Sequence, residues 1–125
     1  MNIAFLDVGH GDSIVITMTD IKGIKRAIVI DSGNFLKTKR YIIDNEIDVI
    51  EYIVITHFHT DHYRGINALV DSLLKKSIKI KNICWEKDKV VRDQDDQKTY
   101  KMFTTKLLDN HMKRDIGCVS KRFDN

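Results

Sequence analysis

The chain has 125 residues, 42% hydrophobic and 31% charged, with a formal net charge of +3. That suits a single globular domain with a real core and excludes a disordered tail or a low-complexity repeat. The small positive charge does not by itself mark a nucleic-acid binder, and no apolar run approaches the roughly 20 residues that a membrane helix needs.

In chain order, "IAFLDVG" and "SIVITMT" are short β-branched and apolar runs, separated at "GHGD" by glycines that permit a sharp reversal. "KRAIVID" reads as a third strand after a "DIKG" turn, so the chain is expected to open with a three-stranded antiparallel meander. "FLKTKRYIIDNEI" has helical spacing, with Leu36, Tyr41, Ile43 and Ile47 expected on one side. "IEYIVIT" is too apolar to alternate and reads as a strand buried on both faces. "HYRGINALVDSLLKK" is an amphipathic helix with Ile66, Leu69, Val70, Leu73 and Leu74 inward. "SIKIKNICW" reads as a strand near a sheet edge because of its lysines, with Cys84 in the core. "EKDKVVRDQDDQ" reads as a loop and "TYKMFTTKLLDNHMKR" as a helix, and the tail "DIGCVSKRFDN" shows no clear element. Strands first, then alternating helices and strands, imply an α/β domain with helices outside a mixed sheet.

Three of the five histidines fall in "THFHTDH", with an aspartate among them: His57, His59, Asp61 and His62. His57 and His59 are two apart, and in extended backbone alternate side chains share a face, so both can grip one metal. Asp61 and His62 fall where the chain turns toward the next helix and can converge on a second. Imidazole suits zinc, while carboxylate also tolerates manganese or iron. Two metals about 3.5–4 Å apart can share a bridging hydroxide that is nucleophilic at neutral pH. A purely structural role would bury these polar groups without a common partner, which is costly.

"THFHTDHYRG" resembles the H-x-H-x-D-H signature of the metallo-β-lactamase superfamily. "FLDVGHGDSIVI" with "AIVIDSG" is similar to the opening of its ComEC-like branch, with His10 standing where glutamine is usual. The resemblance implies that His57 and His59 hold one metal and Asp61 and His62 the other, with Asp61 also orienting the attacking water. Asp31 would support the metal loop by hydrogen bonds rather than by ligation. Its alternative is a turn aspartate capping "SGN". His10 and Asp12 would lie near the metal face, although a solvent-facing turn suits His10 equally.

The superfamily fold is an αββα sandwich of two similar halves, and the second half supplies further ligands. The resemblance covers the first two thirds of the chain, which ends at Asn125, so the expectation is a single truncated domain over residues 1–125, the N-terminal half of the sandwich. His111 is the one histidine after His62, inside a helical stretch, and is the remaining candidate ligand. The activity implied is a zinc-dependent hydrolase, with a metal-bound hydroxide attacking a phosphodiester in nucleic acid or nucleotides. The alternative is a non-catalytic module that binds, or that needs a homodimer or a partner chain to complete the site. The lysines of "KKSIKIK" and beyond read as a solvated surface, or as a rim attracting a polyanionic substrate. "MNIAFLDVGHGD" does not read as a secretory signal, and Cys84 and Cys118 lack C-x-x-C spacing, so a reducing cytoplasm and no membrane are expected.

Overall fold

The computed structural model describes residues 1–6, 13–56, 65–86, 101, 105 and 116–121. They form a six-stranded sheet in sequential order: β1 (Asn2–Phe5), β2 (Ile14–Thr19), β3 (Lys25–Ile30), β4 (Val49–Ile55), β5 (Lys79–Glu86) and β6 (Gly117–Lys121). Helix α1 (Phe35–Asp44) joins β3 to β4, and α2 (Ile66–Lys75) joins β4 to β5. β1, β2 and β3 pair antiparallel, as the meander reading expects, and β3 through β6 pair parallel. The sheet is therefore mixed, and the chain is α/β as expected.

The turn between β2 and β3 forms because Asp20 caps it. Its carboxylate accepts from the Lys22 and Ile24 amides at 2.8 and 3.0 Å, and Gly23 takes φ 83°. α1 starts at Asn34, whose side chain accepts from the Leu36 and Lys37 amides at 3.2 and 3.3 Å. Two successive parallel crossovers in the same direction, each right-handed by rule, put α1 and α2 on one face of the sheet. Against that face pack Val15, Ala27, Val29, Ile50, Ile53, Ile55, Ile80, Ile83 and Trp85. Ile50 and Ile53 share it despite their odd spacing because the register shifts opposite Ala27 and Ile28, leaving Glu51 as an extra residue in β4. α2 closes the face with Ile66, Leu69, Val70 and Leu73, all fully buried, each contributing roughly 1.5–3 kcal/mol of transfer free energy.

The opposite face has no helix among the described residues. Ile3, Phe5, Met18 and Tyr52 alternate with the buried set and are 53%, 78%, 55% and 42% exposed, while Ile14, Ile16, Ile28 and Ile30 on the same face are half-buried. Among the described residues, helices cover β4 on one side only, and on the other side Tyr52 is exposed and Val54 half-buried. Cys84 follows the same alternation, half-buried between Ile83 and Trp85, rather than lying in the core.

Three further expectations change. α1 turns Thr38 and Ile42 inward, while Leu36 and Ile43 face outward, because the contacts to β2 and the β3–α1 turn decide which stripe is inner. β5 lies inside the sheet, because β6 pairs with it. β6 itself arises from the tail that shows no element in sequence, its glycine accepted because Gly117 sits against Asn82, where a Cβ would collide with the amide oxygen. Lys101 and Thr105 are helical, as expected, with the Thr105 hydroxyl donating to the Lys101 carbonyl at 2.8 Å. Among the described residues no helix is long and apolar enough to cross a membrane.

Candidate metal centre

His57, His59, Asp61 and His62 lie outside the described residues, as do His10, Asp12 and His111. Among the described residues no group of three potential ligands converges. What the structure defines is the frame from which the donor-rich segment, residues 57–64, is hung.

That frame is the carboxyl end of the parallel strands, where open α/β sheets characteristically bind ligands. β3 and β4 end side by side, with the Asp31 amide donating to the Val54 carbonyl at 2.8 Å. Asp31 is buried and takes φ 57°, a left-handed conformation that aspartate tolerates better than most residues. Its carboxylate reaches across to Thr56. One oxygen accepts from the Thr56 amide at 2.9 Å and the other from the Thr56 hydroxyl at 2.5 Å. Thr56 is the residue directly before His57. So Asp31 fixes the point where the donor segment begins.

The other end is fixed by the neighbouring residue. The Ser32 carbonyl accepts from the Gly65 amide at 3.2 Å, and Gly65 in turn accepts from Leu69 at the start of α2. Gly65 has room for nothing larger. A Cβ there would sit 2.9 Å from both the Phe35 Cβ and the Phe35 amide nitrogen, and 3.1 Å from the Ser32 carbonyl. The two-residue turn Asp31–Ser32 thereby holds both ends of residues 57–64. Thr56, Ser32 and Gly65 were not singled out in the sequence. A hydroxyl residue just before the first histidine and a glycine just ahead of the helix were the available signals.

The charged features of the described residues lie elsewhere. Arg26 donates to Asp20 at 3.0 Å and to Glu51 at 2.5 Å, and Lys81 joins Glu51 at 3.3 Å. The hydrogen bond from the Ile24 amide, with those from Arg26 and Lys22, outweighs an opposing burial effect and holds Asp20 below its ordinary value. Partial burial pushes Glu51 upward, but the bonds and charges of Arg26 and Lys81 outweigh it and leave Glu51 lowered. An open groove of about 610 Å³ lined by Lys25, Glu46, Asp48, Lys76 and Ser77 lies at the amino end of the parallel strands, away from the donor segment.

Comparison with known proteins agrees with this frame. A family profile described as the metallo-beta-lactamase superfamily matches residues 6–95. The chain belongs to that superfamily, whose members are generally hydrolases that bind zinc. Its mixed sheet with two helices on one face agrees with the N-terminal half of the fold. A relative in Caenorhabditis elegans, Beta-lactamase-like protein 2 homolog, is 35% identical over 72 residues. The match takes in 53% of this chain and 24% of that protein, so the chain spans about a quarter of the length of this curated relative.

Proposed function

We propose that this chain carries the first metal-ligating loop of a metal-dependent hydrolase. The observation behind it is the clamp: Asp31 at Thr56 and Ser32 at Gly65 bracket the segment that contains His57, His59, Asp61 and His62. Three imidazoles and a carboxylate are a donor set that suits zinc, with manganese or iron as alternatives, so the residues present fit the group. Bound there, zinc would supply a nucleophile at neutral pH and neutralise charge developing on the substrate oxygen. The chain's own residues have separate tasks. His57 and His59 would hold one ion and Asp61 and His62 the other, with Asp61 orienting the attacking water. Asp31 would act through Thr56, setting the direction in which the loop leaves β4.

Within the superfamily, "FLDVGHGDSIVI" and "AIVIDSG" favour the ComEC-like branch, and with it a phosphodiester substrate in nucleic acid or nucleotides. His10 and Asp12 would then lie near the substrate, and His111 is the remaining candidate ligand. A cytoplasmic location fits this reading.

A second reading is favoured by the bare sheet face. Ile3, Phe5, Met18 and Tyr52 form an apolar surface of the kind that soluble proteins seldom leave open. In this reading the chain is the N-terminal half of a sandwich. A second copy, or another polypeptide, covers the face and completes the ligand set.

The deciding experiment is elemental analysis of the chain purified without chelator, beside His59→Ala. About two tightly held metals per chain, lost in the variant, support the hydrolase reading, and a phosphodiesterase assay follows. Little or no metal in the parent chain leaves the binding-module reading.

A further inference from the structure

Behind the clamp lies a set of buried hydroxyls. Ser13 and Ser32 and Thr38 are 2%, 0% and 0% exposed. The Thr38 hydroxyl has three partners: the Asn34 carbonyl at 3.2 Å, Ser13 at 2.9 Å and Ser32 at 3.0 Å. A carbonyl only accepts, so the single Thr38 hydrogen goes to Asn34. With that hydrogen on Asn34, both serines donate to the Thr38 oxygen and fill its two lone pairs; in each contact taken alone either hydroxyl is able to donate.

The three residues come from three different places. Thr38 is on the inner side of α1, and Ser32 belongs to the turn that clamps residues 57–64. Ser13 directly precedes β2, and its carbonyl accepts from the Leu6 amide at 2.9 Å, closing the base of the segment that contains His10 and Asp12. One helix hydroxyl therefore ties together the bases of both segments that carry the candidate site residues. Threonine inside a helix is otherwise a mediocre choice, since its branched side chain loses rotamer freedom there.

We infer that Thr38 is a positioning residue for the metal-ligating loop, acting through Ser32 on Gly65 and through the adjacent Asp31 on Thr56; this rests on the metal reading above. Thr38→Val keeps the shape but removes the hydroxyl that both buried serines bond. Ser32 then has to seek another partner, and the turn it belongs to shifts. Thr38→Ser keeps the hydroxyl and loses only a methyl group.

The test is zinc affinity by chelator competition, with folding followed by circular dichroism, for the parent chain, Thr38→Val, Thr38→Ser and Ser32→Ala. Ile80→Ala, at the far end of the sheet, serves as a variant that is less stable for unrelated reasons. Thr38→Val is expected to bind zinc about tenfold or more weakly. Thr38→Ser and Ile80→Ala are expected to stay within about twofold of the parent, on the argument that only a change in loop support alters affinity. In the metal-free chain, amide exchange at Thr56 and Gly65 should quicken in Thr38→Val ahead of Val29 and Ile53 in the strand core.

A folded Thr38→Val with the parent's affinity overturns the inference. So does a Thr38→Ser or an Ile80→Ala that loses as much as Thr38→Val, since packing or stability would then be the cause. Should Thr38→Val not fold, Ser32→Ala decides: weakened zinc binding supports the inference, and unchanged binding overturns it. A parent chain that binds no zinc overturns the metal reading and this inference together, whereas loss confined to neither variant overturns this inference alone.

Discussion

Both faces of the sheet carry apolar side chains, and they meet different surroundings. On one, Ile50, Ile53, Ile55, Ile80 and Ile83 are almost wholly buried beneath α1 and α2. On the other, Ile3, Phe5, Met18 and Tyr52 stand open. Apolar character alone therefore did not assign the covered face. The crossovers did, because right-handed connections running in one direction place both helices on the same side. The open face shows that an apolar strand pattern reports what a surface is able to bury, and leaves open what buries it.

Substitutions on the two faces test this contrast. The largest effect is expected on the covered face, where Leu73→Ala should cost about 2–5 kcal/mol by urea unfolding. Phe5→Ser on the open face should change stability by less than about 0.5 kcal/mol in dilute solution. If its cost instead rises toward that of Leu73→Ala as protein concentration increases, the open face is covered by a second copy in solution. Sedimentation of the same samples would show that copy directly.

Next comes the junction of the covered face with the clamp. Gly65→Ala places a methyl group against Phe35 and the Ser32 carbonyl, both backbone-anchored, and should cost about 1–3 kcal/mol. An unchanged unfolding midpoint would mean that the start of α2 can move away from the β3–α1 turn, and the clamp would then be looser than its distances imply.

The smallest effect belongs to the ion pairs. Asp20 and Glu51 are both held below their ordinary values of 3.8 and 4.5. A lowered carboxylate contributes stability that is fully present above its unfolded value and is lost as pH falls through the folded one. Stability should therefore decline below about pH 4.5 through Glu51 and, lower still, through Asp20. Glu51→Gln should flatten the upper part of that decline, at a cost near neutrality of about 0.2–1 kcal/mol for a pair at this level of exposure. An unaltered acid profile would show that the Arg26–Glu51 contact does not persist in solution.

Much of the fold was legible because it rests on local patterns. The antiparallel meander follows from short β-branched runs and an aspartate–glycine turn. α2 follows from Ile66, Leu69, Val70 and Leu73 at helical spacing. β6 was not legible, because a five-residue strand containing glycine and serine has little signal of its own and forms on the edge that β5 offers. The lysines of β5 suggested an edge, yet in an interior strand they can lie along the uncovered face or at its end. The inner side of α1 was legible at Tyr41 and, just beyond the helix, Ile47, but not at Thr38, because threonine looks polar in sequence. Thr38 is buried only because two serines from elsewhere meet it.

The candidate site divides in the same way. Sequence alone identified the donor segment, since three histidines and an aspartate within six positions are a local chemical fact. It also placed Asp31 near them through a resemblance. The superfamily, too, was recognisable from contiguous motifs. Only the tertiary structure revealed that Asp31 and Ser32 clamp the two ends of that segment, and that Thr38 stands behind both. Most of those contacts join residues far apart in sequence, such as Asp31 with Thr56 and Ser13 with Thr38, each 25 apart. Their strength depends on burial and on hydrogen-bond direction, and neither exists until the sheet and helix have closed around them.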